Sequence, residues 1–265
     1  MPLLLIILLT RTFQIFGLLS LLWLLLYSFN YGWLWFLISF VYYKVVIGML
    51  ANQIAQHRYI SHNSFKTGPM RHKFLSWISI LTGISPVIYA GIHRHHHVHS
   101  DTENDPHSPN MSFYHSAFGW FNGWSNYING SVKVKYPFDI IRDPTHWFVH
   151  RYGHLFLILL ISITFLLSWK FTIFVILAGL GWNFIHMGVI RSALVHTKLP
   201  GSYKNFDITD NSWNNQYIQF FDIGEGLHNN HHKFPNKYNQ ATTNKEFDPV
   251  GWLVEKYFVV KMPHI

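Results

Sequence analysis

Cysteine is absent from all 265 residues. That excludes disulfide frameworks, thiolate metal sites and haem attached through thioethers. Charge is scarce: 12% of the residues are Asp, Glu, Lys or Arg, against about a quarter in an ordinary soluble domain. All 12 acidic side chains lie at or beyond Asp101. The first third of a chain that is 49% hydrophobic and 18% aromatic therefore has no carboxylate to solvate it, which points to a membrane protein. A basic block is also missing. The net charge of +8 is spread through the polar segments, so nothing tracks a nucleic-acid backbone and no nucleic-acid partner is expected. Anionic lipid headgroups, or an anionic carrier on a substrate, suit that charge at least as well. With no internal repeat, low-complexity tract or separating linker, the chain reads as a single domain, 1–265.

A spanning helix needs about 20 mostly apolar residues. Five runs qualify, at 2–27, 32–52, 74–92, 152–169 and 171–190. The first opens "MPLLLIILLTRTF", which lacks the basic start and small-residue cleavage site of a signal peptide. Its span is expected at 11–28, from Arg11 onward, with the preceding apolar stub at the membrane interface. The short loop "SFNYG" makes the first two spans (11–28 and 32–52) a hairpin. Runs four and five meet at Trp169 and Lys170 and make a second (152–169 and 171–190). The third run, "FLSWISILTGISPVIYAGI", carries Gly83 and Pro86, which weaken a spanning helix. Histidine clusters stand on either side of it. If both bind one metal site they lie on one side of the membrane, so 74–92 is expected to be re-entrant or interfacial.

This predicts an all-α integral membrane protein. Four transmembrane helices form two hairpins, under a helical cap built from 56–150 and 191–265. Arg58, Arg151, Arg191 and Lys198 flank the spans on the histidine side, and Lys170 alone on the other. The positive-inside bias then makes the cap cytoplasmic.

The chain has 19 histidines. In "HRHHHVHSDTENDPHS", His93, His96 and His97 stand at i, i+3 and i+4, and in "HNNHH" His228, His231 and His232 repeat that spacing. On a helix those positions share a face, while adjacent ones diverge by about 100°, so one turn can offer imidazoles to two metals. "HRYISH" adds His57 and His62, an i+5 pair suited to a helix end that bends around a site. Eight nitrogens exceed what one metal can use. Imidazole suits zinc, copper, iron and nickel. A structural zinc is closed by four ligands, and a soluble di-iron bundle uses Glu-x-x-His pairs. A nitrogen-rich pair of irons for oxygen activation fits better, because no side chain can attack an unactivated C–H bond. His72, His115, His146, His150, His154, His186 and His264 read as satisfied polar residues, as do His95, His99 and His107, whose offsets leave the shared faces.

The boxes "HRYISH", "HRHHHVHSDTENDPHS" and "GEGLHNNHHKFP", with "IRDPTHWFVHRY" and "FDPVGWLVEKY", resemble the membrane fatty-acid desaturases of the acyl-CoA Δ9, stearoyl-CoA desaturase-like type. The resemblance runs from about residue 40 to 257. It implies two membrane hairpins under a cytoplasmic cap that holds two iron ions. It also implies a reaction that removes two hydrogens from a saturated acyl chain, with O2 as co-substrate and two electrons, to leave a cis double bond. The ligands it implies are His57, His62, His93, His96, His97, His228, His231 and His232, and a ninth in "SALVHTK", His196. Asp101, Asp105, Glu225 and Asn229 could orient imidazole N–H groups. The chain departs from the family at three places: Ser192 stands for an Asn that reaches a metal-bound water, Asn63 for an Arg, and Tyr89 for a Trp.

A long acyl chain needs a narrow apolar tunnel. Its length is expected to depend on "FVYYKVVIGML" in the second span, with Lys44, Val45 and Tyr89 as tunnel residues. Lys44 at bilayer depth costs about 2.5 kcal/mol or more, so it snorkels, finds an interior partner or faces the tunnel end. About 30 residues follow the third box, too few for a fused cytochrome b5 domain, so electrons come from a separate cytochrome b5 or ferredoxin. The substrate partner is acyl-CoA or another acyl carrier. The membrane is the endoplasmic reticulum of a eukaryote or the inner membrane of a bacterium. A hydroxylase or other monooxygenase is the rival within the superfamily. A metal-binding or metal-transporting membrane protein is the rival from another class, although a transporter places its ligands near the bilayer midplane. A catalytically dead, lipid-binding relative has only Ser192 in its favour; loss of a box histidine would favour it far more, and none is lost.

Overall fold

Leucine, isoleucine and phenylalanine leave the early chain nothing to do in lipid but satisfy its backbone internally, and it does so as helix. The computed structural model describes residues 1–118, 137–222 and 224–260. Four helices are long and apolar enough to cross a membrane: α1 (Leu3–Tyr31), α2 (Leu34–Ser61), α5 (Pro144–Leu167) and α6 (Trp169–His196). Between the pairs lie α3 (Pro69–Thr82) and α4 (Pro86–His99), bent 80° to one another. After α6 come a two-stranded antiparallel ribbon, β1 (Ser202–Tyr203) with β2 (Asn214–Asn215), and three helices, α7 (Gln216–Asp222), α8 (His228–Lys233) and α9 (Pro249–Tyr257). The architecture is the expected all-α membrane protein with two hairpins. His264 lies outside the described residues.

Helix α1 starts at Leu3 rather than near Arg11. The stub does not lie free at an interface: Ile6 and Ile7 are buried against Ile84, Ile88 and Phe184. Without a hydrophobic drive between helices in lipid, close backbone approach has to hold them. Gly17 and Gly181 provide it. A Cβ on Gly17 would stand 2.6 Å from the Gly181 nitrogen, and one on Gly181 would stand 2.3 Å from the Gly17 oxygen. Large apolar side chains such as Leu4, Leu8, Ile15, Leu19 and Leu22 are left exposed on α1, where lipid can cover them.

The third apolar run bends where its sequence says it should. Gly83 takes a left-handed φ of +78°, and Pro86 opens α4, where its missing N–H costs nothing. His154 of α5 braces the bend, with Nε2 3.2 Å from the Gly83 carbonyl and 3.1 Å from Thr10 Oγ1 of α1. His62 precedes the run and His93 follows it, and their Nε2 atoms are 2.8 Å apart. The chain leaves His62 and returns beside it at His93, which brings the first two histidine boxes together.

Candidate metal centre

Each box is placed by a different local device. The second half of α2, Tyr43–Ser61, is wound with i→i+5 bonds, and the last of them runs from the His62 N–H to the His57 carbonyl at 3.1 Å. On an α-helix His57 and His62 would point about 140° apart; the wider winding brings them to one side. Helix α4 carries His93, His96 and His97 after its proline start. Helix α8 is a short turn, His228–Lys233. It is locked by Asn230, which receives from Asn205 and Asn214 and donates to the Gln240 carbonyl and Glu246. His196 ends α6.

The nine histidines converge as two groups. His57, His62, His93, His97 and His231 form one; His96, His196, His228 and His232 form the other. Within each group the candidate ligand atoms lie within 4.8 Å of one another. Nε2–Nε2 separations are 3.0 Å for His57–His231, 3.1 Å for His93–His97, 3.0 Å for His97–His231 and 3.0 Å for His196–His228. Two nitrogens bound at about 2.1 Å and at right angles stand about 3.0 Å apart. His232 Nε2 is buried with no hydrogen-bond partner among the described residues. The donor set therefore fits two metal ions, one facing five imidazoles and one facing four.

In five of the nine, His57, His96, His196, His228 and His232, a carboxylate stands at Nδ1, which turns Nε2 inward. Glu225 spans both groups, with Oε1 2.8 Å from His57 Nδ1 and Oε2 3.1 Å from His228 Nδ1. Asp105 sits 3.0 Å from His96 Nδ1, and Asp101 Oδ1 3.2 Å from His196 Nδ1. Two partners escaped the sequence reading. Asp210 holds His232 Nδ1 at 2.9 Å, and Gln53 Oε1 stands 3.2 Å from His57 Nδ1. Gln53 lies one turn before His57 and was findable from spacing. Asp210 comes from a loop with no periodic signal.

Burial, then the neighbouring imidazoles, hold His62, His93, His96, His97 and His231 well below the ordinary histidine value of 6.5, and His228 at about 3. Neutral imidazole is the form a metal binds. Burial alone would raise Glu225. The charges and hydrogen bonds of His57 and His228 outweigh that and hold it well below its usual range, as a carboxylate.

Some expected site residues stand elsewhere. The Asn229 side chain touches no imidazole; it accepts from the Asn205 and Phe206 N–H groups and donates to the Phe206 carbonyl, pinning a loop. Ser192 lines a cavity beside the histidines, but its hydroxyl is turned to the Met187 carbonyl at 3.1 Å. That cavity is bounded by Ile84, Tyr89, Ile92 and Met187 and reaches His93, His96 and His228. Tyr89 belongs to it and stacks on His93. Lys44 and Val45 do not line it. The Lys44 ammonium reaches the Phe221 carbonyl, and Val45 is exposed on the outer face. His107, set aside on spacing, is buried beside His96 with ring centroids 4.1 Å apart.

Residues 31–241 match the family model described as fatty acid desaturase. The chain belongs to the fatty acid desaturase family. This desaturase is 30% identical over 214 residues to the sn-1 stearoyl-lipid 9-desaturase of Anabaena variabilis, covering 77% of this chain and 74% of that one. It is 26% identical over 240 residues to Delta-9 acyl-lipid desaturase 2 of Arabidopsis thaliana, covering 89% and 75%. It is 29% identical over 227 residues to the hex-5-enoyl-[acyl-carrier protein] acetylenase of Moorena producens, covering 76% and 69%. These likenesses identify it as a membrane fatty-acid desaturase of the Δ9 type, an oxidoreductase acting on fatty acyl chains.

Proposed function

We propose that this desaturase uses O2 and two electrons to place a cis double bond at the Δ9 position of a long saturated acyl chain esterified in a membrane lipid. A di-iron centre held by the nine histidines would carry the reaction. The observation that carries the reading is the division of nine inward-facing imidazoles into five and four in a chain of this family. Two of the relatives described are named for lipid-linked chains and one for an acyl-carrier-protein substrate; the lipid is the better supported carrier, and acyl-CoA is an outcome of the test.

When bound, the two irons with O2 supply an oxidant strong enough for an unactivated C–H bond. The chain's own residues do the rest. Ile84, Ile92 and Met187 offer methylene groups an apolar wall beside His93, His96 and His228, and Arg191, Ser192 and Glu225 line the same cavity. Tyr89 stacks on His93 with an interplanar angle of 19° and fixes that ring at the cavity wall. Glu225 holds the rings of His57 and His228 from one carboxylate.

The cap is assigned to the cytoplasmic side. Arg58 and Arg191, two of the cations that suggested it, are ion-paired inside the protein with Asp248 and Asp222. Lys198 remains exposed on that side and Arg151 half-buried, so the bias keeps its sign. A separate cytochrome b5 or ferredoxin delivers the electrons.

The test is expression in a desaturase-deficient host that supplies electrons, with the double bond located by mass spectrometry and the lipid class recorded. A new Δ9 monoene in intact lipid, lost in His97→Ala, is the expected result. The same monoene on acyl-CoA alone would move the carrier, and hydroxylated acids would overturn desaturation.

A further inference from the structure

A third group of ligand-type side chains lies outside both sets of box histidines: His72 on α3, with Asp143 and His146 at the start of α5. Their ligand atoms also lie within 4.8 Å of one another. We propose that these three residues bind a single zinc-type divalent ion, separate from the di-iron centre, with one coordination position left to solvent.

The hydrogen-bond pattern is that of a prepared site. Ser76 Oγ has one hydrogen and gives it to the His72 carbonyl at 2.7 Å. Toward His146 Nδ1, 3.0 Å away, it therefore accepts. His146 carries its proton on Nδ1 and presents an Nε2 lone pair. His72 Nδ1 is taken by the Tyr59 hydroxyl at 2.8 Å, so Nε2 is the nitrogen turned to Asp143, and it presents a lone pair when the Tyr59 oxygen accepts from Nδ1. Asp143 is held as the N-cap of α5, with Oδ1 accepting from the Thr145 and His146 N–H groups at 2.9 and 3.0 Å. Metal-binding histidines commonly have their far nitrogen fixed in this way.

Distance points to a tetrahedral ion. His72 Nε2 stands 3.4 Å from Asp143 Oδ1. That is long for a hydrogen bond. Two ligands at about 2.1 Å and the tetrahedral angle stand about 3.4 Å apart, whereas the contacts in the nine-histidine centre match a right angle. Two imidazoles and a carboxylate with an open fourth position form a known type of zinc donor set. The three residues line a pocket with Tyr59, Asn63 and Lys66 that opens to solvent, which gives an ion its way in. The other carboxylate in the pocket, Asp139, is engaged by Arg94 at 2.7 and 2.8 Å, which leaves Asp143 as the ligand. Tyr59 lies between His57 and His62, so an occupied site would brace the back of the first histidine pair.

The experiment strips the purified full-length protein of metal, saturates it with zinc, removes excess by gel filtration and measures zinc per chain by mass spectrometry. The variants are His72→Ala and Asp143→Asn. Asparagine is as good an N-cap as aspartate, so Asp143→Asn keeps the start of α5 even if His72→Ala folds poorly. The wild type is expected to retain one zinc more per chain than either variant, and Tyr59→Phe to weaken that extra site about tenfold or more. Equal zinc in wild type and Asp143→Asn would overturn the proposal. The zinc count does not depend on turnover, so it stands or falls apart from the desaturase assignment.

Discussion

A single carboxylate, Glu225, touches His57 of the five-imidazole group and His228 of the four. Glu225→Gln keeps the size and the hydrogen-bonding oxygen but removes the charge. It is expected to lower affinity at both ions by about 10- to 100-fold. Iron per chain across a chelator series measures this. Asp105→Ala, which frees His96 together with the Asp101 and His107 N–H groups beside it, should weaken the ion of the four-imidazole group more than the other. Protonation gives a second prediction at this scale. In metal-free protein, His62, His93, His96, His97, His228 and His231 take up protons far less readily than the unfolded value of 6.5 allows. As pH falls below about 6.5 the unfolded chain gains protons that the folded cap refuses, so stability declines with falling pH. Glu225, held below its usual 4.5, adds a loss of the same sign at lower pH. Thermal unfolding of the metal-free protein in detergent, between about pH 8 and pH 5, should show a falling midpoint; a flat profile would contradict the burial of neutral imidazoles. Six of the nine converging histidines were legible because i, i+3, i+4 spacing is a property of the chain alone; His57 and His62 stood out by a five-residue gap, and His196 only through the resemblance. Asp210 was not, because its contact with His232 is made by a loop, and Asn229 misled because its side chain is needed elsewhere.

Helices add constraints that spacing only hints at. Gly83 and Pro86 announced the bend between α3 and α4, and the bend is there. The i→i+5 winding of α2 left no such mark, although the five-residue gap between His57 and His62 is what it accommodates. The start of α1 at Leu3 was also hidden, because an apolar stub reads alike at an interface and in a packed helix; Ile6 and Ile7 meet partners far away in sequence. The contact of Gly17 with Gly181 belongs to this scale. Gly181→Val would drive a side chain into the α1 backbone. It is expected to cost about 1–3 kcal/mol or more by overpacking, read as a lower unfolding midpoint with no change in iron content per folded chain.

At the scale of the whole molecule, one buried ion pair fastens the segment around Asp248 to α2, the helix that carries His57. Arg58, next to His57, meets Asp248 at 2.7 Å and also donates to the Tyr238 and Gly224 carbonyls. Both side chains are almost fully buried. Removing one partner of such a pair costs about 3–5 kcal/mol, because the other is left uncompensated. Asp248→Ala should therefore destabilise the protein by that order and lower iron retention, although Asp248 touches no ligand. Neither residue stood out in the sequence, where Arg58 counted only toward charge bias.

Helices α4 and α8 each give imidazoles to both groups, whereas α2 serves only the first and α6 only the second. Whichever ion arrives first must therefore fix the two helices that the other also needs. The ordering entropy of α4 and α8 falls on the first binding event, and the second ion meets a ready cradle. Loading should then be cooperative: at limiting iron, native mass spectrometry would find empty and fully loaded chains side by side, with few that carry one ion.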